Sequence, residues 1–155
     1  MKYQLNGFRA DRIVANDGLL HIPVATTIVF TKGQIVVDNG SGYATNVGTA
    51  FANTFWGICA GPADNTSGAD GAIKVPVIPV RQGYSYWVKN ESATVAAQTD
   101  IGEIVDLDSN DGVDVTDTTC IAYGFQIEEI DISTAALAAN AGGFVRGRII
   151  TMDQD

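Results

Sequence analysis

Histidine is nearly absent from this chain, which has only His21, and cysteine is limited to Cys59 and Cys120. One His gives no cluster for zinc and no companion for a nucleophilic dyad, and neither Cys has a CxxC neighbour. Basic residues are scarce as well: nine Lys and Arg stand against 18 Asp and Glu, for a formal charge of −9. Affinity for phosphate backbones or anionic lipid rests on neutralising charge, so neither nucleic acid nor membrane is an expected partner. No run of apolar residues is long enough to span a bilayer. The first eight residues, Met1-Lys2-Tyr3-Gln4-Leu5-Asn6-Gly7-Phe8, lack the continuous apolar core of a signal peptide, which predicts a cytoplasmic product. In that compartment Cys59 and Cys120 are expected as reduced, strand-buried thiols.

What the chain does have is glycine and short β-prone runs. Seventeen Gly lie among many Val, Ile and Thr, and hydrophobic residues make up 46%. That composition predicts a mainly β fold of short antiparallel strands joined by turns, closed as a small barrel or sandwich. At 155 residues one apolar core suffices. The expected organisation is an N-terminal arm, residues 1–17, followed by a single β domain, 18–155.

The strongest strand pair is Phe55-Trp56-Gly57-Ile58-Cys59 with Ile73-Lys74-Val75-Pro76-Val77-Ile78-Pro79-Val80. Between them, residues 61–71 collect Gly, Pro, Asp and Asn, each of which bends a backbone for its own reason, and should form an exposed loop. Pro76 and Pro79 lack the N–H that a central ladder uses, which predicts an edge or rim strand. Upstream, 19–24, 28–30 and 34–37 read as extended pieces, and Asp38-Asn39-Gly40-Ser41-Gly42 as a hairpin turn before Tyr43-Ala44-Thr45. Downstream, Tyr84, Tyr86 and Val88 alternate with Ser85, Trp87 and Lys89, so aromatic residues fall on both faces of one strand. Residues 101–107, 113–115, 121–132 and 144–150 complete the strands. The one helix expected is near 133–140, with Ser133 as its N-cap and Gly142-Gly143 as its stop.

Residues 100–131 hold ten of the 18 carboxylates and no Lys or Arg. Asp106, Asp108, Asn110, Asp114 and Asp117 match five places of a calcium loop, but the sixth, which needs Gly, is Asp111. Gly112 comes one residue late, and no helix flanks the stretch, so it reads as a solvated acidic loop. Glu128-Glu129 is a carboxylate pair, but neighbours on a strand face opposite sides. No catalytic residue, metal or cofactor is expected, and the protein is not expected to be an enzyme.

Four segments together carry a resemblance. Lys32-Gly33-Gln34-Ile35-Val36-Val37, Trp56-Gly57-Ile58-Cys59, Asp100-Ile101-Gly102-Glu103-Ile104-Val105-Asp106-Leu107 and residues 144–150 follow one another in an order that resembles β-barrel phage capsid decoration, or cement, proteins. The similarity covers roughly residues 25–150, with the arm of residues 1–20 and the insert of 131–143 outside it. It implies a non-enzymatic virion protein of a bacteriophage that binds the major capsid protein on the outer surface and reinforces the shell, often as a homotrimer. Candidate capsid or subunit contacts are Tyr3, Leu5, Phe8, Arg9 and Arg12 in the arm, with Tyr84, Tyr86 and Trp87 on the aromatic strand. The arm residues read equally as a first core strand. A second functional class is a carbohydrate-binding β module that stacks sugars on Tyr84, Tyr86 and Trp87.

Overall fold

The structure, a computed structural model, describes residues 9–10, 18–46, 55–80, 84–107, 111–120 and 123–151. The fold is mainly β with one short α-helix among those residues, as the composition predicts. In chain order the strands are β1 (Arg9–Ala10), β2 (Leu20–Pro23), β3 (Val29–Phe30), β4 (Ile35–Asp38), β5 (Ala44–Thr45), β6 (Phe55–Cys59), β7 (Ala63–Asp64) and β8 (Lys74–Pro79). There follow β9 (Tyr86–Asn90), β10 (Ile104–Val105), β11 (Gly112–Val113), β12 (Tyr123–Asp131), the helix α1 (Thr134–Ala139) and β13 (Phe144–Thr151). The described residues fall into two compact units, one of 18–80 and one of 9–10 with 84–151.

In the unit of residues 18–80 the sheet order is β2-β8-β6-β4-β5, antiparallel at every step. A parallel bridge between Val24 and Ala44 then joins β5 back to the residue after β2, with the Ala25 N–H donating to Ala44 O at 3.0 Å. The five strands therefore close on themselves, which removes most of the edge that an open sheet exposes. Ile22 and Val24, Val75 and Val77, Val36, Ala44 and Cys59 point into this ring and are buried together with Phe30. Each fully buried Val or Ile contributes about 1.5–3 kcal/mol of transfer free energy.

β8 is interior, lying between β2 and β6, and not at the edge that its two prolines predict. The stagger of its neighbours explains why it is tolerated there. The Ala60 N–H donates to Pro76 O at 2.8 Å, so Pro76 turns its backbone toward β6 at a point where β6 has already ended at Cys59. Pro79 turns the opposite way, toward β2, but the β2 ladder begins only with Leu20 opposite Val77. Each missing N–H falls just past the end of the strand it faces. The loop 61–71 is also less free than its composition suggests. β7 pairs with β3, and Asn65, 2% exposed, donates its amide to Val24 O, Ala25 O and Ala69 O at 3.0–3.1 Å.

The hairpin turn forms where Asp38-Asn39-Gly40 predicts it, but by other means. Gly40 and Gly42 take positive φ (87° and 84°) whereas Asn39 does not. Asp38 Oδ1 instead accepts from the Gly40 and Gly42 N–H groups at 2.8 and 2.9 Å.

In the second unit the order β10-β12-β13-β9 is antiparallel throughout, and β9 carries two strands on its far side. β1 pairs antiparallel with Tyr86 and Trp87, and β11 pairs parallel with Lys89 and Asn90. An antiparallel bridge between Asp106 and Asp114 joins β10 to β11, so this ring closes too. The helix α1 starts where Ser133 Oγ accepts from the Ala136 N–H at 3.3 Å. Six residues are too few for an independent helix. It is held by Ala136, which packs against Trp87 and Phe144.

The two rings have one topology. β2, β4, β5, β6 and β8 correspond to β9, β10, β11, β12 and β13, with the same neighbours and the same strand sense at each junction. The hydrogen bonds correspond as well. Gly33 N–H to Cys59 O and Gly102 N–H to Ile127 O are both 2.8 Å, and Cys59 N–H to Gln34 O (2.8 Å) matches Ile127 N–H to Glu103 O (3.0 Å). Val24 N–H to Ile73 O (3.0 Å) matches Asn90 N–H to Gly143 O (3.1 Å). In sequence the repeat survives mainly as Gly33-Gln34-Ile35-Val36 beside Gly102-Glu103-Ile104-Val105.

Candidate functional site

Of the contact candidates, Tyr3, Leu5, Phe8 and Arg12 lie outside the described residues. Arg9 lies in β1, opposite Trp87, so this part of the arm belongs to the sheet. Tyr84 is half-buried just before β9. Tyr86 is fully buried and Trp87 only 7% exposed. Trp87 is covered by α1 and Phe144. Tyr86 and Trp87 are candidate capsid or subunit contacts in the sequence; the chain itself covers both, and neither aromatic ring offers a face to solvent. Burial also pushes the Tyr86 phenol up to about 12.

Around β9 the polar side chains hold the fold. Asn90, 1% exposed, donates to Thr94 O (2.7 Å) and Gly142 O (3.0 Å) and accepts from the Ser92 N–H (3.0 Å) and the Val115 N–H (3.4 Å). Asn140 donates to Asn90 O and Gly143 O, both at 2.8 Å. The register shifts between Ile127 and Glu129, which separates the two adjacent carboxylates. Glu128 pairs with Arg148 (2.6 Å) and accepts from the Ser85 hydroxyl (2.7 Å), whereas Glu129 pairs with Arg146 (3.2 Å). These pairs are partly solvated and each adds on the order of 1 kcal/mol or less.

In the acidic stretch, Asp108 and Asn110 lie outside the described residues. Asp114 accepts from the Thr116 hydroxyl (2.6 Å) and N–H (2.8 Å), and the hydroxyl bond is the main reason its carboxyl titrates below the usual range. Asp117 accepts from the Thr119 N–H at 2.8 Å. Carboxylate oxygens are thus spent on closing local turns, and no group of three metal-ligating side chains converges among the described residues. Both cysteines are free thiols. Cys59 is buried, donates to Gly61 O at 2.8 Å, and burial raises its pKa; Cys120 is raised first by burial and then by Asp106 and Asp117.

What sequence reasoning did not single out is a set of exposed aliphatic side chains. Leu19 (47%), Leu20 (39%) and Val29 (43%) belong to the first ring's unit, Val95, Ile101 and Ile132 to the second. Leu19 and Leu20 read as ordinary strand residues, because exposure at a strand start depends on which neighbour ends short of it. No helix among the described residues is long and apolar enough to cross a membrane. No family model matches this chain, and no curated protein or solved structure does.

Proposed function

We propose that this chain is a non-enzymatic structural protein that binds the outer surface of a phage capsid and stabilises it. Its site of action is the virion, reached after synthesis in the host cytoplasm. Its partners are the major capsid protein and further copies of itself, with the trimer as the expected oligomer, and it takes neither nucleic acid nor membrane. The reading rests on the resemblance of the segments around Lys32, Trp56, Asp100 and Phe144. The observation that supports it is the division of labour in the rings. Buried polar groups such as Asn65 and Asn90 are engaged in pinning loops, whereas large aliphatic groups, Leu19, Leu20 and Val29 among them, are exposed, as a protein contact would use them.

The carbohydrate-binding alternative asks for open ring faces on Tyr84, Tyr86 and Trp87, and two of these three are buried. The test is addition of the purified protein to phage shells that lack a decoration layer. Cosedimentation with a raised shell melting temperature is the expected result. Shells that neither bind the protein nor gain heat resistance would overturn the proposal.

A further inference from the structure

The two matching rings differ along the outer edges of β2 and β9. On β9 the strand β1 covers Tyr86 and Trp87, and β11 takes over at Lys89 and Asn90. Val24 corresponds to Asn90, so Leu20 and His21 correspond to Tyr86 and Trp87. β5 reaches β2 only at Val24, and no strand among the described residues lies beside Leu20 and His21. Side-chain exposure follows the same difference: Tyr86 is 0% exposed, but Leu20 is 39% and the adjoining Leu19 is 47%.

The backbone at this place is directed outward. Val24 N–H bonds to Ile73 O, so by strand alternation Leu20 and Ile22 turn their amides toward β8, and Leu19 and His21 turn theirs away from it. Pro23 stands where the other ring has Lys89, and its missing N–H ends the ladder coming from β5. The edge that no described strand fills is therefore short and bounded.

We propose that the edge at Leu19, Leu20 and His21 is a strand-addition site that takes an extended, antiparallel segment of another protein, apolar with at least one basic residue. The chemistry of that segment follows from the filled place on β9. The strand there is Arg9–Ala10, preceded by Phe8, an arm of positive charge in a chain of formal charge −9. An incoming basic segment is drawn by the chain's formal charge of −9, and an apolar residue opposite Leu20 would cover its side chain. The Arg9–Ala10 strand of a second copy is not the occupant, because in each copy those two residues are paired with its own β9. The inference rests on the comparison of the rings and is independent of the capsid reading.

A synthetic peptide of residues 5–13, which reproduces β1 and its flanks, is the probe, added to the full chain and followed by amide hydrogen exchange. The expected result is a saturable slowing of His21 exchange by about tenfold, weakened in Leu20→Ser and lost with a peptide N-methylated at Arg9. His21 exchange unchanged at millimolar peptide, equal protection by the N-methylated peptide, or slowing confined to Trp87 would each overturn the proposal.

Discussion

Gly33 and Gly102 occupy the same station in the two rings: each has a positive φ, 95° and 93°, and each donates its N–H at 2.8 Å to the strand opposite, to Cys59 O and Ile127 O. Each closes the turn that leads into a Gly-Gln/Glu-Ile-Val strand start. An L side chain in that conformation costs roughly 1–2 kcal/mol. Gly33→Ala and Gly102→Ala are therefore expected to destabilise by similar amounts within that range, read from urea midpoints. A cost at one site and none at the other would break the equivalence of the rings.

Gly57 predicts a larger effect. Its Cβ would collide with the Ile78 carbonyl oxygen and stand 2.7 Å from Val77 Cγ1, where Gly57 pairs with Pro79 in the β6–β8 ladder. Backbone cannot yield as a flexible side chain can, so Gly57→Ala is expected to cost about 3 kcal/mol or more. Gly40→Ala, where nothing lies within 4 Å, is the comparison and carries only the strain of its positive φ.

Asn90→Ala removes a side chain that makes four hydrogen bonds in a buried position. Gly142 O and the Val115 N–H lose a partner where little water can replace it. The expected loss is on the order of 2–4 kcal/mol in chemical denaturation. Asn90→Asp should do no better at neutral pH, because a carboxylate cannot donate to Thr94 O and Gly142 O.

Tyr86 predicts an alkaline limit. Burial raises its folded pKa to about 12, above the value of 10 for an exposed phenol. The neutral phenol carries no penalty below pH 10. Above it the unfolded chain releases the proton and the folded chain holds it, so stability falls as pH rises from about 10 to 12, by about 3 kcal/mol at most. Phenolate absorbance of Tyr86, isolated by difference against Tyr86→Phe, should appear near pH 12. Tyr86→Phe should flatten the decline over that window, whatever it costs in packing.

Much of the local structure was legible in the residues themselves. Alternation marked residues 84–89 as a strand, Asp38-Asn39-Gly40 marked a turn, and Ser133 marked the helix start, because these signals act over a few residues; the helix ends at Asn140, ahead of Gly142-Gly143. The prolines of β8 misled for the same reason. Pro76 and Pro79 state that an N–H is missing, but whether it is missed depends on where β6 and β2 end, and those strands lie elsewhere in the chain. The candidate contacts on β9 fared likewise: two aromatic residues on opposite faces predict cover, and only packing reveals that α1 and Phe144 supply it for Trp87.

Composition and near neighbours in the chain set the class of fold, most strands and turns and the acidic, His-poor character. Tertiary structure sets the ring closure, the repeat and the lack of a described strand beside Leu20. Val24 meeting Ala44 and Asp106 meeting Asp114 are pairings between separate segments, and hydrogen-bonded backbone repeats such geometry with almost any β-compatible side chains. That is why two rings with matching ladders retain little more than Gly33-Gln34-Ile35-Val36 and Gly102-Glu103-Ile104-Val105 to show for it.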